Sequence, residues 1–150
     1  MARSIVVEVR KAVIAGISDL VGDDSVSCTY GWQGSSDDAR REQIYTNRPR
    51  AEHQPASLKA GRTFRNEQMD FDVVILVMDP SKRPEEVDDR VMELGQMVEE
   101  FIADNRDGSA LGIPGLNWLI VTGFEMENRL MDTGSVSLAQ YTVRYDARLT

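Results

Sequence analysis

The chain has 150 residues, a formal net charge of −8 at pH 7 and a hydrophobic fraction of 41%. These values are typical of an ordinary globular domain and argue against disorder along the whole chain. The acidic balance argues against non-specific attraction to nucleic-acid phosphates as the main function. The longest charge-free run, residues 108–124, contains four glycines and one proline, so we expect a soluble protein without a membrane-spanning segment.

The first 32 residues predict one helix and one short strand. Val9, Val13 and Ile17 recur at four-residue intervals, which is the spacing of one face of an amphipathic helix that ends at Gly22. The stretch from Val26 to Trp32 then alternates in the manner of a strand. We therefore expect the chain to open with a helix followed by a strand.

A polar segment at about residues 33–62 separates this strand from the rest of the predicted core. The part around Ile44 and Tyr45 has β character, but Pro49 and Pro55 limit a strand here to a sheet edge or an excursion. We interpret the segment as a long protruding flap or hairpin, because a loop of this length in a compact domain is usually functional or flexible. Removing residues Gly34 to Lys59 is then predicted to leave a folded domain that no longer assembles.

The second half of the chain predicts three more strands and one more helix. A strand runs through Met69–Met78, and an acidic helix begins near Pro84, with glutamates in its first turn. Further strands are predicted for Trp118–Met126 and Tyr141–Leu149. Val136 and Leu138 lie on the opposite parity from the last strand. We therefore expect a bulge near residues 139–140 or a change in the covered face.

The order of these elements predicts a single α+β domain over residues 1–150. It contains a mostly antiparallel four-stranded sheet, two amphipathic helices packed on one face of that sheet, and the flap at about residues 33–62. No internal repeat and no low-complexity tract divides the sequence.

The sequence offers few groups for catalysis or cofactor binding. His53 and Cys28 are the only residues of their types, and we interpret them as a loop histidine and a buried core thiol. Asp70 and Asp72 could hold Mg²⁺ or Ca²⁺, but a solvated strand face or pairing with an arginine such as Arg144 or Arg148 is favoured. We expect no enzyme, no metal and no cofactor, with a small metal-binding or hydrolytic domain at the two aspartates as the alternative.

The arginines of the flap are the main candidate binding feature. Together with nearby aromatic side chains they could stack on and neutralise single-stranded nucleic acid. Because acidic residues are mixed with them, salt bridges and hydrogen bonds between subunits are the favoured explanation. The candidate subunit or partner interface consists of Trp32, Arg40, Arg41, Glu42, Tyr45, Arg48, Arg50 and Arg62.

A series of short motifs extends over nearly the whole chain. They are Val21-Gly22-Asp23 and Tyr30-Gly31-Trp32, then Arg41-Glu42-Gln43-Ile44-Tyr45, Gln54-Pro55-Ala56, Gly61-Arg62 and Arg65-Asn66-Glu67, and finally the acidic helix after Pro80 and the alternating strand Tyr141–Leu149. In this order they resemble the tail terminator (tail-completion) proteins of long-tailed bacteriophages, particularly siphoviruses of actinobacteria. His53 and Lys59 depart from the family pattern, in which acidic or small residues are more usual at those places.

The resemblance implies a structural protein without catalytic activity. Such proteins form a ring, commonly a homo-hexamer, that caps the tail tube, stops its polymerisation and offers a docking surface to the head connector. The implied partners are other copies of the chain, the tail tube protein and the head connector or neck protein, with DNA passing through the channel without specific binding and no membrane involved. The implied location is the virion tail, assembled in the host cytoplasm. A head–tail connector or stopper of the neck is the alternative within this structural class.

Overall fold

The computed structural model describes residues 3–32, 42–51, 65–131 and 134–149. These residues form an α+β fold, which confirms the predicted class. No helix in this described part of the chain is long and apolar enough to cross a membrane. In chain order the elements are α1 (Val6–Val21), β1 (Val26–Thr29), β2 (Glu42–Arg50), β3 (Arg65–Asp79), α2 (Pro84–Asp104), a short 3-10 helix (Gly108–Leu111), β4 (Leu116–Met131) and β5 (Gly134–Leu149).

The strands form one mixed sheet in the order β1-β2-β3-β5-β4. β1 runs parallel to β2, and the other neighbouring pairs are antiparallel. The prediction of a four-stranded sheet was wrong, because the described residues contain five strands. The additional strand is β2, which comes from the centre of the predicted flap.

The position of β2 corrects the interpretation of residues 42–50 as part of a protruding flap. The strand lies between β1 and β3, and Ile44 within it is completely buried. Pro49 is tolerated because it falls in a register irregularity between Asn47 and Arg50, beyond the last residue that pairs with β1. Removing residues 34–59 would delete this strand, so from the structure we expect the shortened chain to unfold, in contrast to the expectation from the sequence.

Both helices pack on the same face of the sheet, as predicted. Their apolar stripes form one buried cluster with the odd-numbered side chains of β3 and β5. Glycines allow the layers to approach closely, since a Cβ at Gly95 of α2 would overlap the Tyr141 hydroxyl and one at Gly16 of α1 would overlap the Phe101 ring. The completely or almost completely buried members of this core include Val9, Val13, Ile17, Phe71, Val73, Ile75, Leu94, Val98, Tyr141 and Tyr145.

A buried arginine joins α1 to the strands beside it. Arg10 donates hydrogen bonds to the Thr46 side-chain hydroxyl at 2.8 Å, to the Thr46 carbonyl at 3.1 Å and to the Tyr30 hydroxyl at 2.7 Å. Its guanidinium also lies 4.0 Å from the centre of the Tyr30 ring. Burial lowers the pKa of Arg10. These contacts fix the second half of β2 against the helix layer.

β5 runs without interruption from Gly134 to Leu149 and pairs with β3 without a register shift. The bulge expected near residues 139–140 was therefore wrong, and a change in the covered face explains the sequence pattern. Val136 and Leu138 point to the side of the sheet without helices, where they line a cleft. The register shifts lie instead in β2 and β4.

Candidate assembly surface

The side of the sheet opposite α1 and α2, here named the helix-free face, has an apolar half and a charged half. Even-numbered side chains of β3 and β5 form its centre, and their register partners in β2 and β4 extend it. Because β3 and β5 contribute alternate residues to the two faces, the helix-free face shares its backbone with the core. Its shape is therefore supported by the helix-covered layer.

The apolar half contains a cleft of about 240 Å³. Trp32, just beyond β1, borders the cleft and is 60% exposed. Tyr45 of β2 is largely buried beside it, and burial raises the pKa of its phenol. An ion pair between Arg129 and Glu127 at 2.8 Å forms part of the rim. The remaining lining residues are Leu76, Val136 and Leu138.

The charged half is organised around the buried carboxylate of Asp72. Arg50 donates a hydrogen bond to it at 3.2 Å, Gln140 at 3.1 Å and Thr142 at 3.3 Å. The Arg48 guanidinium lies 4.0 Å away. Residues from β2, β3 and β5 therefore meet at one carboxylate, which satisfies its acceptor oxygens within the chain.

Asp70 has an arginine partner of its own. Arg144 donates from Nε to one carboxylate oxygen at 2.8 Å and from a terminal nitrogen to the other at 3.2 Å, a bidentate ion pair. The predicted pairing of Asp70 with Arg144 is confirmed. The alternative, a solvated strand face, was wrong, because Asp70 and Asp72 are both buried.

The other candidates for chemistry are not assembled into a site in the described residues. Cys28 is half-buried and packs against the core from β1, and burial raises the pKa of its thiol. Within residues 3–32, 42–51, 65–131 and 134–149, no group of three or more His, Cys, Asp and Glu side chains could hold a metal ion. His53 lies outside the described residues.

Four of the predicted interface residues come together on the helix-free face. Trp32 and Tyr45 border the apolar cleft, while Arg48 and Arg50 approach Asp72 in the charged half. Arg48 is the more accessible of the two arginines, with 64% of its side chain exposed, compared with 37% for Arg50. Its backbone has a positive φ of 52°, which is uncommon outside glycine and follows from the irregularity in β2.

Glu42 does not join this face. Its carboxylate forms a bidentate ion pair with Arg90 of α2, with nitrogen–oxygen distances of 2.5 and 3.1 Å. The hydrogen bond from Arg90 to Glu42 is the main reason that the pKa of Arg90 is raised. Glu42 therefore fixes β2 to the helix layer. The other predicted interface residues, Arg40, Arg41 and Arg62, lie outside the described residues.

The apolar floor of the cleft was not among the residues predicted to form a binding surface. Leu76, Val136 and Leu138 line it, and the opposite parity of the latter two was the available signal. Gln140 and Thr142 gave no signal, because their role depends on their register opposite Val74 and Asp72.

Two of the three comparisons with known proteins give no match. No protein-family model matches the chain, and no curated protein matches it. Among solved structures, one similar chain comes from the virion of a native gene transfer agent (GTA) particle. It is 14% identical with a TM-score of 0.58, and the match covers 97% of this chain and 99% of that chain. At this identity the likeness shows a shared fold over almost the full length of both chains.

Proposed function

We propose that the chain is a structural component of a phage-like particle and acts there as a tail terminator. The observation that carries the proposal is the fold that it shares, over nearly its whole length, with a chain of a gene transfer agent virion. The ordered motifs that resemble tail terminators support the narrower role. In this role the protein forms a ring, commonly of six copies, that caps the tail tube and stops its polymerisation.

The helix-free face suits a protein that works by assembly. Tryptophan, tyrosine and arginine are enriched at protein interfaces, where they supply much of the binding energy. Trp32 and Arg48 are both largely exposed on this face, and the cleft beside Trp32 has an apolar floor. We propose that this face contacts another copy of the chain, the tail tube or the head connector.

The proposed role needs no catalytic group and no cofactor. Both strand aspartates are engaged by arginines, and an ion-paired carboxylate is less available to a metal ion. A net charge of −8 would also disfavour adhesion of DNA that passes through the ring. The proposed location is the virion tail, after assembly in the host cytoplasm.

The proposal is tested with purified protein and purified tail tubes. We expect rings by size-exclusion chromatography with light scattering, or rings on tube ends by negative-stain microscopy. Trp32→Asp should reduce tube-end binding, whereas Leu20→Asp on α1, at a side chain 46% exposed, should not. A protein that stays monomeric and leaves tube ends uncapped would contradict the proposal.

A neck connector or stopper is the second candidate, because the shared fold alone does not distinguish between proteins of one particle. A pull-down against separate tube and connector proteins distinguishes the two roles. Binding to the connector without binding to the tube would favour the stopper.

A metal-binding or hydrolytic domain at Asp70 and Asp72 is the candidate from another class. Titration calorimetry with Mg²⁺ tests it in the wild type and in the Asp70→Asn and Asp72→Asn variants. Metal binding that disappears in these variants while assembly persists would favour this candidate over the structural role.

A further inference from the structure

The outer edge of the sheet at β4 offers a long row of backbone groups to a partner. β4 has 16 residues and pairs with β5 on one side only. The segment after α2 covers the beginning of β4. There the Leu119 amide donates a hydrogen bond to the Arg106 carbonyl, and Trp118 forms an isolated antiparallel β-bridge with Asp107. From Ile120 onward, no other described strand pairs with this edge. A long edge strand of this kind is a ready template for another chain.

An apolar furrow runs beside this edge, between β4 and α2. It contains an open pocket of about 260 Å³ whose polar lining residues are Glu99 and Arg106 and whose apolar ones are Ile102, Ala103, Leu119, Ile120 and Val121. Phe124, which packs on Tyr141, continues the furrow along β4 and is 47% exposed. An exposed apolar strip next to an open strand edge is suited to receive an extended segment.

The α2 side of the furrow supplies a second exposed apolar group. Met92 is 45% exposed and lies one helical turn after Asp88, whose carboxylate accepts a hydrogen bond from Asn128 of β4 at 2.9 Å. Gly95, nearly one turn further on, contacts Tyr141. Met92 therefore lies along the same side of α2 as the residues that touch β4 and β5.

Charge identifies the occupant of this furrow. α2 contains one basic residue and eight acidic ones, at positions 85, 86, 88, 89, 93, 99, 100 and 104. The described end of β2 has the opposite sign, because it carries Arg48 and Arg50 and 64% of the Arg48 side chain is exposed. In the fold, Arg48 belongs to β2, which is separated from β4 by β3 and β5. Within one copy, Arg48 therefore lies on a strand that does not border β4, so a contact between Arg48 and the furrow needs a second copy.

We infer that the β4 edge and its furrow bind the basic end of β2, around Arg48, in a second copy of the chain. One copy presents the furrow and its neighbour presents Arg48, so the contact joins two different surfaces. Repeated contacts of this kind build a closed ring when the rotation between copies closes and an open filament when it does not, whereas an edge that bound its own equivalent would stop at a dimer. This inference rests on the proposed ring and assigns the two surfaces that build it.

Two variants disable the surfaces separately. Phe124→Asp places a charge in the furrow, and Arg48→Glu reverses the charge at the end of β2. Leu20→Asp and Lys11→Glu are the matched controls, since both lie on the exposed side of α1. Light scattering should show that each interface variant weakens self-association at least about tenfold, while both controls assemble as the wild type does. Added salt should weaken wild-type association, because opposite charges meet in the contact.

Mixing the two interface variants tests the head-to-tail arrangement directly. Each variant retains one working surface, so an equimolar mixture should form dimers and no rings. If β4 instead paired with β4 of a second copy, Arg48→Glu would self-associate alone and mixing would add nothing. That result would overturn the inference.

The remaining outcomes are also decisive. Met92→Glu serves as a second furrow variant if circular dichroism shows that Phe124→Asp is unfolded. Wild-type rings that persist in a folded furrow variant, in solution or on tube ends, would overturn the inference and leave the proposed function intact. A wild-type protein that forms no ring in either setting would contradict the inference and the proposed function together.

Discussion

The two faces of the sheet bury their side chains in different ways. On the helix-covered face, apolar residues of β3 and β5 meet the stripes of α1 and α2 in one continuous core. On the helix-free face, buried carboxylates have arginine and amide partners, and the apolar side chains line an accessible cleft. The first arrangement is stabilised mainly by removal of apolar surface from water, and the second by directional contacts in a fixed register.

We expect the helix-covered face to provide most of the stability and the helix-free face to provide the contacts with partners. Tight packing of mainly apolar side chains tolerates little change in volume, so the helix-covered face should dominate the free energy of unfolding. Ion pairs on the helix-free face contribute less, because removing charge from water costs much of what the pair gains. The helix-free face and the β4 edge can therefore carry exposed residues such as Trp32 and Phe124.

The largest predicted effect is on the helix-covered face. Phe71→Ala should lower the free energy of unfolding by about 3–5 kcal/mol, because it removes a completely buried ring and leaves a cavity. Urea denaturation measures the change. The matched control is Phe124→Ala at the exposed edge, with an expected loss of about 1 kcal/mol. Equal losses at the two phenylalanines would contradict the assignment of the core.

The close approach of α2 to β5 predicts the next largest effect. Gly95→Ala should cost about 1–3 kcal/mol, because the added methyl group overlaps the Tyr141 hydroxyl. Tyr141→Phe removes that hydroxyl and should restore part of the loss in the double variant. Thermal unfolding gives both values. Gly31→Ala, where no atom lies within 4 Å of the added Cβ, is the control.

On the helix-free face, Asp70→Asn should cost about 1–3 kcal/mol, because Arg144 then loses its ionised partner. The loss stays below that of a fully buried pair, since 30% of the Arg144 side chain is exposed to solvent. Asp89→Asn, on the exposed side of α2, should change stability by less than about 0.5 kcal/mol. Chemical denaturation that gives the same small change for both variants would show that the pair is not stabilising.

The smallest predicted effect is that of Arg50→Ala, at most about 1 kcal/mol. Arg50 is partly exposed, and Asp72 keeps its hydrogen bonds from Gln140 and Thr142 when the guanidinium is removed. Denaturation of this variant should resemble that of Lys82→Ala, which removes an exposed ion pair with Asp79. A loss above about 2 kcal/mol would place Arg50 among the main contacts of the face.

Several residues of the candidate surface could be predicted from the sequence, but their arrangement in the fold could not. Trp32, Tyr45, Arg48 and Arg50 could be selected by residue type, because interfaces favour aromatic and guanidinium groups. The sequence could not show that Glu42 turns away to Arg90, since that ion pair joins residues from a strand and a helix far apart in the chain. The cleft floor combines residues of β3 and β5, and its only local signal was the opposite parity of Val136 and Leu138.

The sequence by itself determined both helices, four of the five described strands and the apolar face of β5, because helical and strand periodicities are local properties. It also indicated the pairing of Asp70 with an arginine. Only the tertiary structure decided that residues 42–50 form an interior strand. Prolines and charges disfavour a strand locally, whereas pairing with β1 and β3 and the burial of Ile44 stabilise one. These partners are distant in sequence, so only the folded chain brings them together.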